Sequence, residues 1–371
     1  MKIRVSLIAF CSSMAMMCSD ASAQSSVTLY GLISGGLAFS TNQGGHHTYQ
    51  AISGTNQSPR WGLRGNENIG GGTSVIFTLE NGFNIYNGNA SFNAREFGRQ
   101  SYIGVTNKNW GTLTFGRQYD SVEDMLGLNT AYNWNGTIGD NDNTYANLHV
   151  NNSVKYTTQN LKGLQVTAQY GFSNSTTGFA DNRSFGFGAS YNVGSLNWSV
   201  AYTEFDSPYS ASNPTGAIDT DYSPTYLTFD RSALHTHAYA KKQRIFGTGG
   251  GYSVGQLKLG ALYTDVNFNY LDGQHLNIQN FSLSANYYVR PYFLLGAAYV
   301  YTAGAYTVTG KKPKWNELNV VADYYLSKRT DVALMIYLQQ SGGGALADIQ
   351  GYTSSSTNRQ MVTTLGMRHT F

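Results

Sequence analysis

The stretch LQVTAQYGF, Leu164 to Phe172, decides the fold class. Leu164, Val166, Ala168, Tyr170 and Phe172 alternate with Gln165, Thr167 and Gln169, the period-two pattern of a strand whose two faces meet different surroundings. Leu196, Trp198, Val200 and Tyr202 set against Asn197, Ser199 and Thr203 repeat it, as do Val332, Leu334, Ile336 and Leu338 against Asp331 and Gln339. No comparable helical period accompanies them. A β-sandwich with apolar inner faces would carry the same alternation, so the spacing between strands has to discriminate.

Outward from this stretch, sixteen strands are predicted near 27–39, 58–67, 72–83, 97–107, 111–119, 151–158, 163–172, 184–192, 195–205, 243–253, 256–268, 278–289, 292–306, 314–326, 330–341 and 359–371. Their connections alternate between short turns, such as Val193-Gly194, Val254-Gly255 and Arg290-Pro291, and long loops, such as 40–57, 84–96, 120–150, 206–242 and 342–358. A sandwich has no reason to collect every short turn at one end. An all-β, 16-stranded antiparallel transmembrane barrel does, because its periplasmic turns are short and its external loops long.

Inward parity falls on Arg60, Arg64, Glu80, Gln165, Gln169, Glu317, Asn319 and Asp323. Such residues are costly in a packed apolar interior and natural around water, and a barrel of this strand number is wide enough to leave an aqueous channel. Trp61, Trp110, Trp198 and Trp315 lie near strand ends, where aromatic girdles meet the membrane interface.

Composition agrees. Of 371 residues only 12% are charged, with 42 Gly and 28 Tyr, about half the charge of an ordinary soluble domain. Beyond the N-terminal stretch no apolar run is long enough to cross a bilayer as a helix. The net charge of +3 is too small to imply a nucleic-acid partner. Lys2 and Arg4, the apolar run to Cys18, and Ala21-Ser22-Ala23 read as a secretory signal over 1–23, leaving 24–371 as the barrel domain. Both cysteines, Cys11 and Cys18, lie in that leader, so no disulfide framework is expected.

Several longer stretches carry a family likeness: SSVTLYGL (Ser25 to Leu32), SPRWGLRGNENIGGGTSVIFTLENGF (Ser58 to Phe83), GRQSYIGV (Gly98 to Val105), WGTLTFGRQYD (Trp110 to Asp120), NNSVKYTT from Asn151 and GMRHTF from Gly366. In this order and spacing the chain resembles the general diffusion porins of Gram-negative outer membranes, especially the β-proteobacterial branch. The resemblance implies homotrimers of 16-stranded barrels in the outer membrane, reached by signal-peptide export, each with its third external loop folded into the lumen.

Segment 120–150 is the candidate for that loop and carries Glu123, Asp124, Asp140 and Asp142. The resemblance maps a basic wall onto Arg60, Arg64 and Arg99 and gives Glu80 an acidic lumenal position. Facing walls of opposite sign would set a transverse field across a water-filled constriction. At the wall position where the family usually carries Arg stands His149, a group that titrates near physiological pH when unperturbed. Ser34 stands where many relatives have Asp. Arg117 has outward parity with Leu113 and Phe115, which places it either at a trimer interface or at a break in the alternation. In the family the terminal aromatic, here Phe371, is read by the outer-membrane insertion machinery. Gly31, Gly35 and Gly36 on the first strand, with Arg95 and Glu96 on the second loop, suit contact with a neighbouring subunit.

His46-His47 and His235-x-His237 lack carboxylates or cysteines at ligand spacing, and Gly249 to Gly251 lacks the lysine of a phosphate loop. No cofactor, metal or catalytic motif is expected. The expected function is passive diffusion of small hydrophilic solutes and ions, with outer-membrane lipid and lipopolysaccharide as surroundings. The alternatives are a substrate-specific channel or, in another class, a barrel enzyme.

Overall fold

The computed structural model describes residues 25–130, 137–176, 178–224, 227–233 and 235–371; the signal peptide predicted over 1–23 lies outside them. Period-two segments form antiparallel strands throughout: β1 (Ser26–Gln43), β2 (His46–Ser53), β3 (Arg60–Gly70), β4 (Thr73–Gly82), β5 (Gln100–Asn107), β6 (Gly111–Gln118), β7 (Val150–Thr157), β8 (Leu164–Gly171) and β9 (Arg183–Val193). The remainder are β10 (Leu196–Asp206), β11 (Ala240–Val254), β12 (Leu257–Tyr270), β13 (His275–Arg290), β14 (Phe293–Tyr306), β15 (Lys314–Ser327), β16 (Thr330–Gly342) and β17 (Arg359–Thr370). β17 pairs with β1 from Leu32↔Thr370 to Ser40↔Val362, which closes the sheet. A closed barrel leaves no edge on which another chain could polymerise.

Seventeen segments make sixteen barrel strands because β2 and β3 lie end to end along β1. β2 pairs with the upper part, Gly35↔Ser53 to Gln43↔His46, and β3 with the lower, Ser26↔Asn66 to Leu32↔Arg60. The predicted first loop, 40–57, therefore holds eight residues of strand, HHTYQAIS. Their alternation is weak, since His occupies both faces and each face mixes polar with apolar residues: Thr48 and Gln50 with Ile52 on one, Ser53 with Tyr49 and Ala51 on the other.

The two faces separate as the alternation requires. Leu259, Phe281, Leu283, Leu295, Leu318, Leu334, Leu338 and Leu365 stand exposed on the outer wall, whereas Thr264, Asn280, Thr302, Asn319 and Asp323 are buried on the inner one. Trp110 and Trp198 are exposed, as girdle residues are. Trp315 corrects the expectation. It points inward, is 6% exposed, meets Phe229 edge to face at 6.1 Å and donates from Nε1 to the Leu346 carbonyl at 2.9 Å.

Helix α1 (Ser121–Thr130) follows β6. Asp120 caps it, its Oδ1 accepting from the Glu123 amide at 2.8 Å, which satisfies one of the first-turn donors. α1 packs against strands β8 to β12. Val122 and Leu126 are fully buried in a cluster with Phe205, Ile245, Leu262 and Val266 of the wall. Wall glycines make room for it: a Cβ at Gly188 would meet Met125, and one at Gly247 would meet Leu126. The connection 207–239 joins the same cluster through Ala217, Ile218, Tyr222, Leu227 and Phe229.

Candidate functional site

Glu80 organises the inner wall. It sits two residues from the end of β4 opposite Gln100, the first residue of β5, so Arg99 just before β5 lies beside it. Arg99 Nε donates to Glu80 Oε1 at 2.8 Å, and Tyr30 Oη donates to Oε2 at 2.8 Å. Tyr119 Oη accepts from Arg99 Nη2 at 2.7 Å and donates to Glu80 Oε1 at 3.2 Å. Arg99 is only 6% exposed, and Glu80 compensates its charge. Glu80 thus stands among the arginines instead of across the lumen from them.

Arg60 and Arg64 are held differently. Arg60 Nε donates to the Ser58 carbonyl at 3.2 Å, and the Arg64 guanidinium lies 4.0 Å over the Tyr30 ring, a cation–π contact that leaves the charge uncompensated. Arg60 is half-buried and Arg64 exposed. Among the described residues neither has a carboxylate within ion-pair distance, unlike Arg95, Arg99, Arg117, Lys155, Arg183 and Arg368.

His149 does not belong to a charged wall. Its ring is 1% exposed and wedged between Phe92, edge on at 4.7 Å, and Tyr119 at 5.1 Å. Among the described residues neither ring nitrogen has a hydrogen-bond partner. Burial first, then Arg117, Arg99 and Arg95, hold its pKa well below the ordinary imidazole range, so the ring is a neutral packing group.

The acids of segment 120–150 are mostly internal. Asp140 accepts from the Tyr145 amide at 3.1 Å and the Asn147 amide at 3.2 Å. Asp142 accepts from Thr264 Oγ1 of β12 at 2.7 Å and from Thr137 and Thr144 within the segment. Both carboxyls are fully buried: they shape and moor the segment and do not line water. Asp124 pairs with Lys155 of β7. Burial, reinforced by the neighbouring acids, raises Glu123 well above the carboxylate range. Asp120 is pushed up to about 6, chiefly by burial, and Asp140 to about 8 by burial and Asp142.

Arg117 resolves in favour of broken alternation. The β6–β7 ladder shifts register between Gly116 and Gln118, and Gly116 adopts φ 140, a backbone that other residues rarely adopt. The Arg117 guanidinium is turned onto Asp219 and Asp221 of the 207–239 connection and onto Asn151 Oδ1 at 2.6 Å. Arg95 joins the same two carboxylates at 2.7 and 3.0 Å. Both arginines are therefore ion-paired within the chain. Sequence reasoning missed this four-membered network because Asp219 and Asp221 lie about a hundred residues from Arg117 with no motif around them.

A family model for Gram-negative porins matches residues 9–344. The chain belongs to the Gram-negative porin family. It is 30% identical over 282 residues to an outer membrane porin protein of Bordetella pertussis, across 68% of this chain and 67% of that one. An anion-selective porin from Comamonas acidovorans superposes with a TM-score of 0.76 at 20% identity, covering 94% of this chain and all of the other. The trimer form of the outer membrane protein OmpT of Vibrio cholerae superposes with a TM-score of 0.67 at 17% identity, over 94% and 99% of the two chains. This porin is an outer-membrane channel for passive diffusion of small solutes, built on a closed 16-stranded barrel.

Proposed function

We propose that the channel conducts with a preference for anions, through a lumen narrowed by segment 120–149 and faced by Arg60 and Arg64. The observation that carries this reading is the imbalance of uncompensated charge. Arg60 and Arg64 have no carboxylate at ion-pair distance among the described residues, while Glu80 and Asp124 are ion-paired and Asp140 and Asp142 are buried inside the segment. A ring of net positive side chains lowers the barrier for anions more than for cations. The placement of the segment inside the lumen rests on its contacts: α1 meets inward-parity positions of β9 to β11, and Asn141 and Asp142 meet Asn280 and Thr264. The anion selectivity of the Comamonas porin agrees with the proposal.

The channel works as a homotrimer in a lipopolysaccharide-bearing membrane, catalyses no reaction, and presents Phe371 to the insertion machinery. Closed barrels associate through their outer walls, and Gly35 leaves the wall of β1 low enough for Ile85 and Tyr86 of the same chain to lie against it, with Tyr86 Oη donating to the Gly36 carbonyl at 3.0 Å. The test is the reversal potential of the purified protein in a planar bilayer under a KCl gradient. Its sign is expected to be that of chloride preference, with Arg60→Gln and Arg64→Gln each moving it toward potassium. Potassium preference in the native protein would overturn the reading.

A further inference from the structure

The strand formed by β2 and β3 carries an insertion. Ser53 pairs with Gly35 and Arg60 pairs with Leu32, so six residues, Gly54 to Pro59, lie opposite only two, Ile33 and Ser34. The excess is four residues. An even number preserves parity, so the inward and outward faces of β2 and β3 stay in phase while the surplus chain leaves the ladder. This is a much larger extrusion than the single extra residue of an ordinary bulge.

Its contacts show which way it goes. Thr55 Oγ1 lies 3.3 Å from Ser34 Oγ and occupies the space where a Cβ on Gly366 would sit. Asn56 Nδ2 donates to Asp331 Oδ1 at 2.7 Å. Gln57 Oε1 accepts from Arg368 Nη1 at 3.2 Å, and Arg368 is itself paired with Asp331 at 2.8 Å. Ser34, Gly366, Asp331 and Arg368 share inward parity on β1, β17 and β16, shown by the register of those strands and the burial of Ser34 and Asp331. The insertion therefore crosses the inner face of β1 and is moored to β16 and β17. Its last residue before Pro59, Ser58, supplies the carbonyl that fixes Arg60.

We propose that Thr55 to Ser58 form a lumenal ledge that narrows the channel and aims Arg60 at the passing ion, so that this insertion is a determinant of conductance and selectivity separate from segment 120–149. The geometry supports a positioning role with three parts. Asn56 and Gln57 are the moorings, Gly366 is the seat, and the Ser58 carbonyl orients the cation. The ledge spans the seam where the first and last strands meet, so it takes up lumen on the side away from the β8–β12 wall that α1 covers. The proposal rests on the lumen being an ion pathway in which Arg60 is a charge the ion meets.

Two variants test it in planar bilayers, each first shown to be folded by its heat-modifiable electrophoretic shift. Deletion of Thr55 to Ser58 lets Gly54 and Pro59 face Ser34 and Ile33 in an unbroken ladder without altering parity. It is expected to raise single-channel conductance and to move the KCl reversal potential toward cations. Asn56→Ala/Gln57→Ala keeps the chain length and cuts the moorings; it is expected to increase open-channel current noise and to move the reversal potential in the same direction. Native conductance, noise and reversal potential in the folded double-alanine variant would overturn the proposal, whatever the deletion does. A native protein that conducts nothing would instead remove the channel reading itself.

Discussion

Arg99 and Glu80 form a buried ion pair on one wall of the barrel, Nε to Oε1 at 2.8 Å, with their side chains 7% and 3% exposed. Removing one partner of such a pair strands the other in a poorly solvated site, at a cost of about 3 to 5 kcal/mol. The pair also hides one arginine charge from the lumen.

Glu80→Gln should therefore have two effects. The barrel should unfold at lower temperature, read by gel shift after heating, and the uncovered Arg99 should move the reversal potential toward anions. Glu123→Gln at pH 7 serves as the contrast. Burial first, then Asp140, hold its carboxyl well above the ordinary carboxylate range, so the substitution should change selectivity less than Glu80→Gln does.

His149 should add nothing to the pH dependence of selectivity. Its neutral form persists in the folded protein because burial and the neighbouring arginines depress its pKa, so reversal potentials at pH 8 and pH 5 should shift equally in the native protein and in His149→Ala. Stability should respond instead. The unfolded chain takes up a proton below about pH 6.5 while the folded chain does not, so His149 favours folding above that pH and loses this contribution as pH falls toward its depressed folded value. The drop in unfolding temperature from pH 8 to pH 5 should be smaller in His149→Phe than in the native protein.

The Arg95, Arg117, Asp219 and Asp221 network holds the 207–239 connection against the barrel. Asp221→Asn leaves two guanidinium groups sharing one carboxylate. The connection should loosen, with faster tryptic cleavage after the half-buried Arg231, while the barrel stays folded. An unchanged cleavage rate would show that the apolar contacts of Ile218, Tyr222 and Leu227 suffice.

Phe371 closes the last row of the outer wall. Its backbone exchanges hydrogen bonds with Gly31 at 3.0 and 3.2 Å, and its ring lies where a Cβ on Gly31 would be. Deleting Phe371 is expected to lower the amount of folded trimer in outer membranes under limiting expression. Gly31→Val, which evicts the ring but keeps the residue, should reduce stability and spare recognition of the terminus.

Strand number, direction and facing were legible in the sequence wherever one side of a strand meets hydrocarbon and the other meets water, as in Leu164 to Gly171. Hydrocarbon excludes polar side chains so strongly that each strand must announce its own parity. HHTYQAIS escaped because its mixed polarity hides that parity, and the ledge at Thr55 to Ser58 escaped with it.

The charged wall was legible only as a set of residue types. Arg60, Arg64 and Glu80 could be faced inward by counting along strands, and only the family resemblance added Arg99 to the basic wall. Whether each charge is free, paired or buried depends on residues that arrive from elsewhere. Tyr30 and Glu80 compensate or stack on the arginines, Phe92 and Tyr119 enclose His149, and Asp219 and Asp221 reach Arg117 from a distant connection. Alternation along a strand is a local consequence of the membrane, so the sequence by itself determined the barrel and its polarity. Charge compensation is a contact between segments remote in the chain, so only the tertiary structure decided which charges an ion would meet.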